Sequence, residues 1–260
     1  MGYETLILEK KDKIATITLN RPPMNPLNVK GYYELIEVSK EINDDRDVKV
    51  VIFRGAGDKA FCAGLDVKDV EGKDIPWIVN FLNNAARKGY ETIAAIEKPT
   101  VAAINGLALG GGLELALSCD IRIAADNAKM GNPEITLGII PGGGATQRLS
   151  RLIGTAKAKE MLFLGTVIDA PKAMELGIVS AIYPLDKLME EANKLASKLA
   201  KMPAVALKMI KMSIDNGYNM DIHSGLKYEQ ECFVVAYVSE DGREGLKAFL
   251  EKRKPVFKDK

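Results

Sequence analysis

The chain has 260 residues, 47% of them hydrophobic and 27% charged, enough to bury a continuous core without a disulfide or metal staple. Its 36 basic residues nearly balance 35 acidic ones, so the overall charge gives no reason to expect a nucleic-acid partner. A single histidine, His223, makes a multi-histidine metal site or a histidine-based triad hard to build, and Cys62, Cys119 and Cys232, odd in number and without CxxC spacing, read as reduced buried thiols.

The N-terminal MGYETL has neither a basic-then-apolar signal nor the Ser/Thr of a myristoylation motif, which makes the cytoplasm the default address. "TLILE" and "KIATITL" alternate apolar and polar residues across "KKDK" and predict a β-hairpin. "NRPPMNPLN" is too rich in Pro and Asn to stay regular. A helix follows over Lys30 to Ile42, spaced by Tyr33, Leu35, Ile36 and Ile42, and then a buried strand in "DVKVVIFRG". "DIPWIVNFLNN" opens a further helix near Asp74 and Pro76. Trp77, Val79, Phe81 and Leu82 there either touch a ligand or pack the helix down.

"VVIFRGAGDKAFCAGLDV" and "TVAAINGLALGGGLELAL" share one plan of strand, glycine turn, short second strand, glycine and helix start. Such a repeat suggests stacked turns of a coil. Thr100 to Cys119 is apolar enough to be weighed as a membrane span, but Gly106, Gly110 to Gly112 and Glu114 argue against one. A helix on Ala158, Met161, Leu162 and Leu164 precedes a third apolar run, "GIVSAIYP". Past Pro184 the chain turns helical: Leu188, Ala192, Leu195, Ala196 and Leu199 share a face, Pro203 restarts the chain, and Ser239 is placed to cap a helix carrying Leu246, Phe249 and Leu250. These last helices either serve an interface or cover the domain's own core.

Chemistry concentrates in "NGLALGGGLELALSCD". Its glycines permit a tight strand-to-helix junction, and the helix then aims its first free N–H groups at that spot, which suits an anion or a developing oxyanion. Glu114 lies in the first turn among Leu113, Leu115, Ala116 and Leu117, so a raised pKa and proton exchange near neutrality follow. In "GNPEITLGIIPGGGATQRL", Glu134 is followed by Ile135, Leu137, Ile139 and Ile140, which predicts a buried or cleft-lining carboxylate, and a helix starts between Gly142 and Thr146. Two carboxylates without a histidine suggest water or proton chemistry and make a weak metal site. The glycines match neither GxGxxG nor GxxxxGK[ST], which disfavours a nucleotide loop.

"FCAGLD", "KPTVAAINGLALGGGLELALSCDIRIA", "GNPEITLGIIPGGGATQRL" and "FLEKR", in that order, resemble the enoyl-CoA hydratase/isomerase (crotonase) superfamily over essentially the whole chain. The resemblance implies an α/β fold, a crotonase-like spiral of ββα turns over residues 1–198, with a C-terminal helical trimerisation region over 199–260 that makes a homotrimer or a hexamer of paired trimers. It implies an oxyanion hole from the backbone N–H groups of Leu65 and Gly111, the carbonyl of Ala63 on the adenine, and further substrate contacts at Met24, Leu27, Lys59, Asp66 and Gly142. Glu114 then acts chiefly on water and Glu134 on the α-carbon proton. The implied activity is hydration of an enoyl-CoA thioester, short-chain or cyclic, or the reverse. No metal is implied and no cofactor besides the coenzyme A of the substrate. An isomerase or other enolate-forming enzyme is the alternative within the fold, and a non-enzymatic RNA-binding module the alternative outside it.

Overall fold

The computed structural model describes residues 2–260. Strands β1 (Leu6–Lys11) and β2 (Ile14–Leu19) pair antiparallel, joined by Asp12 and Lys13, both at positive φ, as a two-residue hairpin turn requires. Helix α1 (Val29–Asp44) starts where the Asn28 side chain accepts a hydrogen bond from the N–H of Gly31 at 2.8 Å. Its buried face includes Tyr32, Leu35, Val38 and Ile42, whereas Tyr33, which the spacing placed inside, is 41% exposed. The inward tyrosine is its neighbour, and that one-residue difference matters at the site.

The repeat is a coil. Strand β3 (Val50–Gly55) pairs parallel with β5 (Thr100–Ile104), and β4 (Ala60–Cys62) with β6 (Leu107–Leu109). A third coil unit, absent from the sequence reading, adds β7 (Ile121–Ala125) beside β5 and β8 (Lys129–Gly131) beside β6. Arg122 interrupts its apolar pattern, yet the guanidinium is satisfied by the carbonyls of Ile178 at 2.7 Å and Cys119 at 2.6 Å. With β9 (Val167–Asp169) and β10 (Ala181–Tyr183), the strands form a six-stranded sheet ordered β1-β2-β3-β5-β7-β10 and a four-stranded sheet ordered β4-β6-β8-β9. At the corner between sheets, the buried Asn105 side chain accepts from the Gly55 N–H and donates to the carbonyls of Gly55 and Gly57. Helix α2 (Ile75–Phe81) begins at Asp74 as expected and runs through a π-helical turn, Leu82–Ala86, into α3 (Arg87–Ala94).

Helix α4 (Gly111–Leu117) lies between β6 and β7, and after the third coil come α5 (Ala145–Ile153), α6 (Thr155–Leu164) and α7 (Ala170–Glu175). Helix α8 (Leu185–Ala200) buries Leu188, Ala192 and Ala196, and residues 198 and 199 fall in its last turn. Helices α9 (Ala204–Gly217), α10 (Ile222–Val238) and α11 (Glu240–Leu250) follow, the last capped by Ser239, whose Oγ accepts from the Gly242 N–H at 2.9 Å. They do not close the chain's own core. No residue of α9 is buried, α10 buries only Cys232, and Ile210, Ile214, Ile222, Leu226 and Phe233 are 54–70% exposed. Thr100–Cys119, weighed as a span, is divided among β5, β6 and α4, and no helix among the described residues is long and apolar enough to cross a membrane.

Candidate active site

Successive coils deliver equivalent points of the chain to one place. Cys62 at the end of β4 pairs with Ala108 of β6, so Leu65 and Gly111, each three residues further on, emerge side by side. Gly64 supports this approach: at φ 95° it leaves room for Gly111, and a Cβ there would sit 2.7 Å from the Leu109 carbonyl and 3.1 Å from the Gly111 nitrogen. Neither the Leu65 N–H nor the Gly111 N–H, the first of α4, has an acceptor among the described residues. Two adjacent unpaired donors, one at a helix N-terminus, suit a developing oxyanion. The space beside the Gly111 Cα is taken by protein, not left for a ligand: a Cβ would lie 2.5 Å from the Tyr90 hydroxyl and 3.2 Å from that of Tyr32.

Glu114 stands one turn into α4, 4% exposed, with Leu113, Leu115, Ala116 and Leu117 buried around it as its sequence setting suggests. Its Oε1 accepts from the N–H of Gly143 at 2.8 Å and of Ala145 at 3.0 Å, so the carboxylate caps the start of α5. Oε2 accepts no hydrogen bond among the described residues. Burial pushes the carboxyl up to about 7; the two N–H donors and Arg148 oppose the rise, and the charge of Glu134 adds to it.

Glu134 arrives on the third coil. β8 pairs with β6, and three residues beyond Gly131 a 3-10 turn, Pro133–Leu137, sets the Glu134 Oε1 3.2 Å from where a Cβ of Gly110 would lie. The Asn132 amide donates to Oε1 at 3.3 Å, while Oε2 of Glu134 and Oδ1 of Asn132 are buried without partners. Unpaired buried acceptors cost about 1–3 kcal/mol each unless something donates to them, so this pair is arranged for a donor supplied from outside the chain. Burial raises the Glu134 pKa. The cause differs from the sequence reading, because Ile135, Leu137, Ile139 and Ile140 are 45–72% exposed and do not enclose it. Asn132 and Gly110 do.

The loop before α1 is laced to the end of β4: Ala63 N–H donates to the Met24 carbonyl at 2.9 Å, Leu27 N–H to Gly64 at 2.7 Å, and Asp66 N–H to Leu27 at 2.8 Å. Met24, Ala63, Leu65 and Asp66 therefore come together. Leu27, 2% exposed, offers backbone but no side chain, and the Asp66 carboxylate is committed to Arg21 at 3.0 Å. Lys59 is exposed at the opposite end of β4 from Ala63, about 13 Å away by strand rise, within reach only of a long ligand. Gly142 is exposed next to Leu82, whose Cδ2 would meet a Cβ there at 3.2 Å. Phe81 is buried edge-on against Tyr32 and stacks on Trp77, so those two pack the helix down, while Val79 is half exposed. Three residues at the site have no sequence motif to announce them: Tyr32 and Tyr90, fully buried with hydroxyls 3.0 Å apart, and Arg148. Only the inward register of α1 and the proximity of Arg148 to Gly143 in sequence hint at them.

A sequence model of the enoyl-CoA hydratase/isomerase family matches residues 9–260. The chain is 41% identical to a crotonyl-CoA hydratase of Syntrophomonas wolfei, over 99% of each chain, and 41% identical to a short-chain-enoyl-CoA hydratase of Clostridium acetobutylicum, over 98% of this chain and 97% of that one. It superposes on the crystal structure of an enoyl-CoA hydratase from Bacillus anthracis with a TM-score of 0.94, at 40% identity, covering 99% of this chain and all of that one.

Proposed function

The chain belongs to the enoyl-CoA hydratase/isomerase family, and from that premise we propose that it adds water across the α,β double bond of a short-chain or cyclic enoyl-CoA thioester, or removes it in the reverse direction. The observation that carries the proposal is the meeting of two unpaired N–H donors with two carboxyls of raised pKa. The thioester oxygen accepts from Leu65 and Gly111. Glu114 takes a proton from water as its oxygen bonds to the β carbon, the π electrons move toward the thioester oxygen, and Glu134 gives a proton to the α carbon. Coenzyme A is part of the substrate in this reading, held along Met24, Ala63 and Asp66 with Lys59 at its far end, and no other cofactor is called for. The three buried, unpaired thiols agree with a reducing, cytoplasmic setting.

One proton shared by the pair is the working state. The charge of Glu134 contributes to the rise at Glu114, so the step near pH 7 is loss of the pair's last proton. With the proton on Glu114 the pair begins dehydration by protonating the departing β-hydroxyl; with it on Glu134 the pair begins hydration. Above about pH 7 both carboxylates are ionised and neither can donate, so kcat/KM in either direction falls about tenfold per pH unit. A stopped-time assay with crotonyl-CoA across pH 5–9 checks this, and a flat profile through pH 8 contradicts it. A 3-enoyl thioester offered in deuterated water, if isomerised far faster than the 2-enoyl thioester is hydrated, would replace hydratase by isomerase.

The apolar faces of α9 and α10 fit a self-association surface, and we read the 199–260 region as the seat of a homotrimer or a pair of trimers. Ile214→Glu or Phe233→Glu, each placing a charge on an exposed apolar position, is expected to yield monomers in sedimentation velocity where the native chain yields trimers or hexamers. A native monomer at micromolar concentration refutes the assignment.

A further inference from the structure

Arg148 enters α5 one turn after its start and folds its side chain back over that start. Its Nη1 donates to the Gly143 carbonyl at 3.1 Å, and Gly144, at φ 119°, has the guanidinium where a side chain would otherwise stand. Gly143 and Ala145, the residues on either side, supply the two N–H groups that hold Glu114. Arg148 has no carboxylate within ion-pair distance among the described residues, although burial withdraws it from water and pulls its pKa down. Arg148 also lines a cavity of about 460 Å³, together with Arg87, Glu91, Arg151 and Asn219. A half-buried cation spent on a single backbone carbonyl is costly unless its charge is used elsewhere.

We propose that Arg148 is a positioning residue for Glu114, clamping the 143–145 turn so that its two N–H groups stay in register with the carboxylate and its charge steadies the ionised form. The inference rests on the reading of Glu114 as the group that exchanges a proton with water. The other groups facing Glu114 cannot replace this effect. Glu134 from the third coil raises the Glu114 pKa rather than lowering it, and Tyr90 from α3, Tyr32 from α1 and Cys62 from β4 are kept neutral by burial. Arg148 is the cation that, from an adjacent element, opposes the rise of this carboxyl's pKa.

The test is the pH profile of kcat/KM for crotonyl-CoA hydration in Arg148→Met and Arg148→Lys. Loss of the cation lets Glu114 hold its proton to higher pH, so Arg148→Met is expected to move the alkaline limb upward by about one pH unit and to lower kcat by about tenfold. Arg148→Lys keeps a charge without the planar fork; its limb should stay within about 0.3 unit of native while kcat falls a few-fold. An unmoved limb in Arg148→Met overturns the inference whatever the variant's melting temperature, and so does a limb in Arg148→Lys that moves as far as in the methionine variant. Should Arg148→Met fail to fold, Arg148→Gln bears the same two outcomes, and the lysine variant alone still overturns the inference if its limb shifts by a full unit. Glu114→Gln assayed alongside separates the two claims: native turnover there defeats the acid–base reading, whereas an inactive Glu114→Gln with an unshifted Arg148→Met defeats only this inference.

Discussion

Glu114→Gln and Glu134→Gln each lower kcat for crotonyl-CoA hydration by about a thousandfold, near the middle of what a positioned acid or base contributes. Both substitutions keep the shape of the side chain. In Glu114→Gln the amide oxygen can still accept from Gly143 and Ala145, so the start of α5 keeps its cap, but the nitrogen that replaces Oε2 cannot take a proton. In Glu134→Gln the oxygen can still accept from Asn132, and the amide nitrogen removes an acceptor that has no partner on the chain. Neither change touches Leu65, Gly111 or the laced loop at Met24 and Ala63. Affinity for a saturated acyl-CoA, measured by titration calorimetry, should therefore stay within about threefold of native, because the thioester grip is separate from the proton chemistry. The alkaline limb should move from near pH 7 to lower pH in whatever rate survives in Glu114→Gln, since Glu134 must still hold the α-carbon proton but no longer shares it with a second carboxylate. Turnover within tenfold of native in either variant would remove that glutamate from the mechanism.

Local pattern carried much of this and failed where distant segments meet. The hairpin, the caps at Asp74 and Ser239 and the apolar setting of Glu114 are all decided by neighbours a few residues away, and each stands in the structure as the sequence suggests. The repeat in the first two coils was visible because both carry glycine turns; the third was not, since Arg122 and the polar "DNAK" turn hide strands whose buried polar groups are satisfied by Cys119 and Ile178. Helical spacing points to Tyr33 as the inward tyrosine, whereas packing on Phe81 and Tyr90 selects its neighbour Tyr32. Glu134 is half-buried, but not for the reason its sequence setting suggests: the apolar residues after it face outward, and it is flanked instead by Asn132 and by Gly110 on the preceding coil. Arg148 could not have been singled out, because its role depends on a side chain folding back over its own helix start. At Lys59 a basic residue is legible, but its distance from Ala63 along β4 is not.

Gly112→Ala is expected to do the most damage to the fold with the smallest change in composition. An added Cβ would fall on the carbonyl of Cys62, 2.7 Å from its carbon and 2.9 Å from the Cys62 Cβ, so backbone must move and no flexible side-chain end can yield instead. That contact ties the start of α4 to the end of β4, the two segments whose parallel stacking brings Gly111 and Leu65 together. Forcing them apart costs about 3 kcal/mol or more, the upper part of what overpacking exacts, and so lowers the melting temperature by about 10 °C. Separated donors also lose their hold on the oxyanion, which lowers kcat by about a hundredfold in whatever fraction still folds at 25 °C. Gly138→Ala supplies the comparison. At φ 73° it pays a backbone penalty of about 1–2 kcal/mol but meets no atom within 4 Å, so its melting temperature should fall by only a few degrees and its kcat should stay native. If calorimetry finds Gly112→Ala as stable as Gly138→Ala and steady-state rates find it as active, the α4 start is not held against Cys62, and the oxyanion donors owe their alignment to something other than the stacking of β4 on β6.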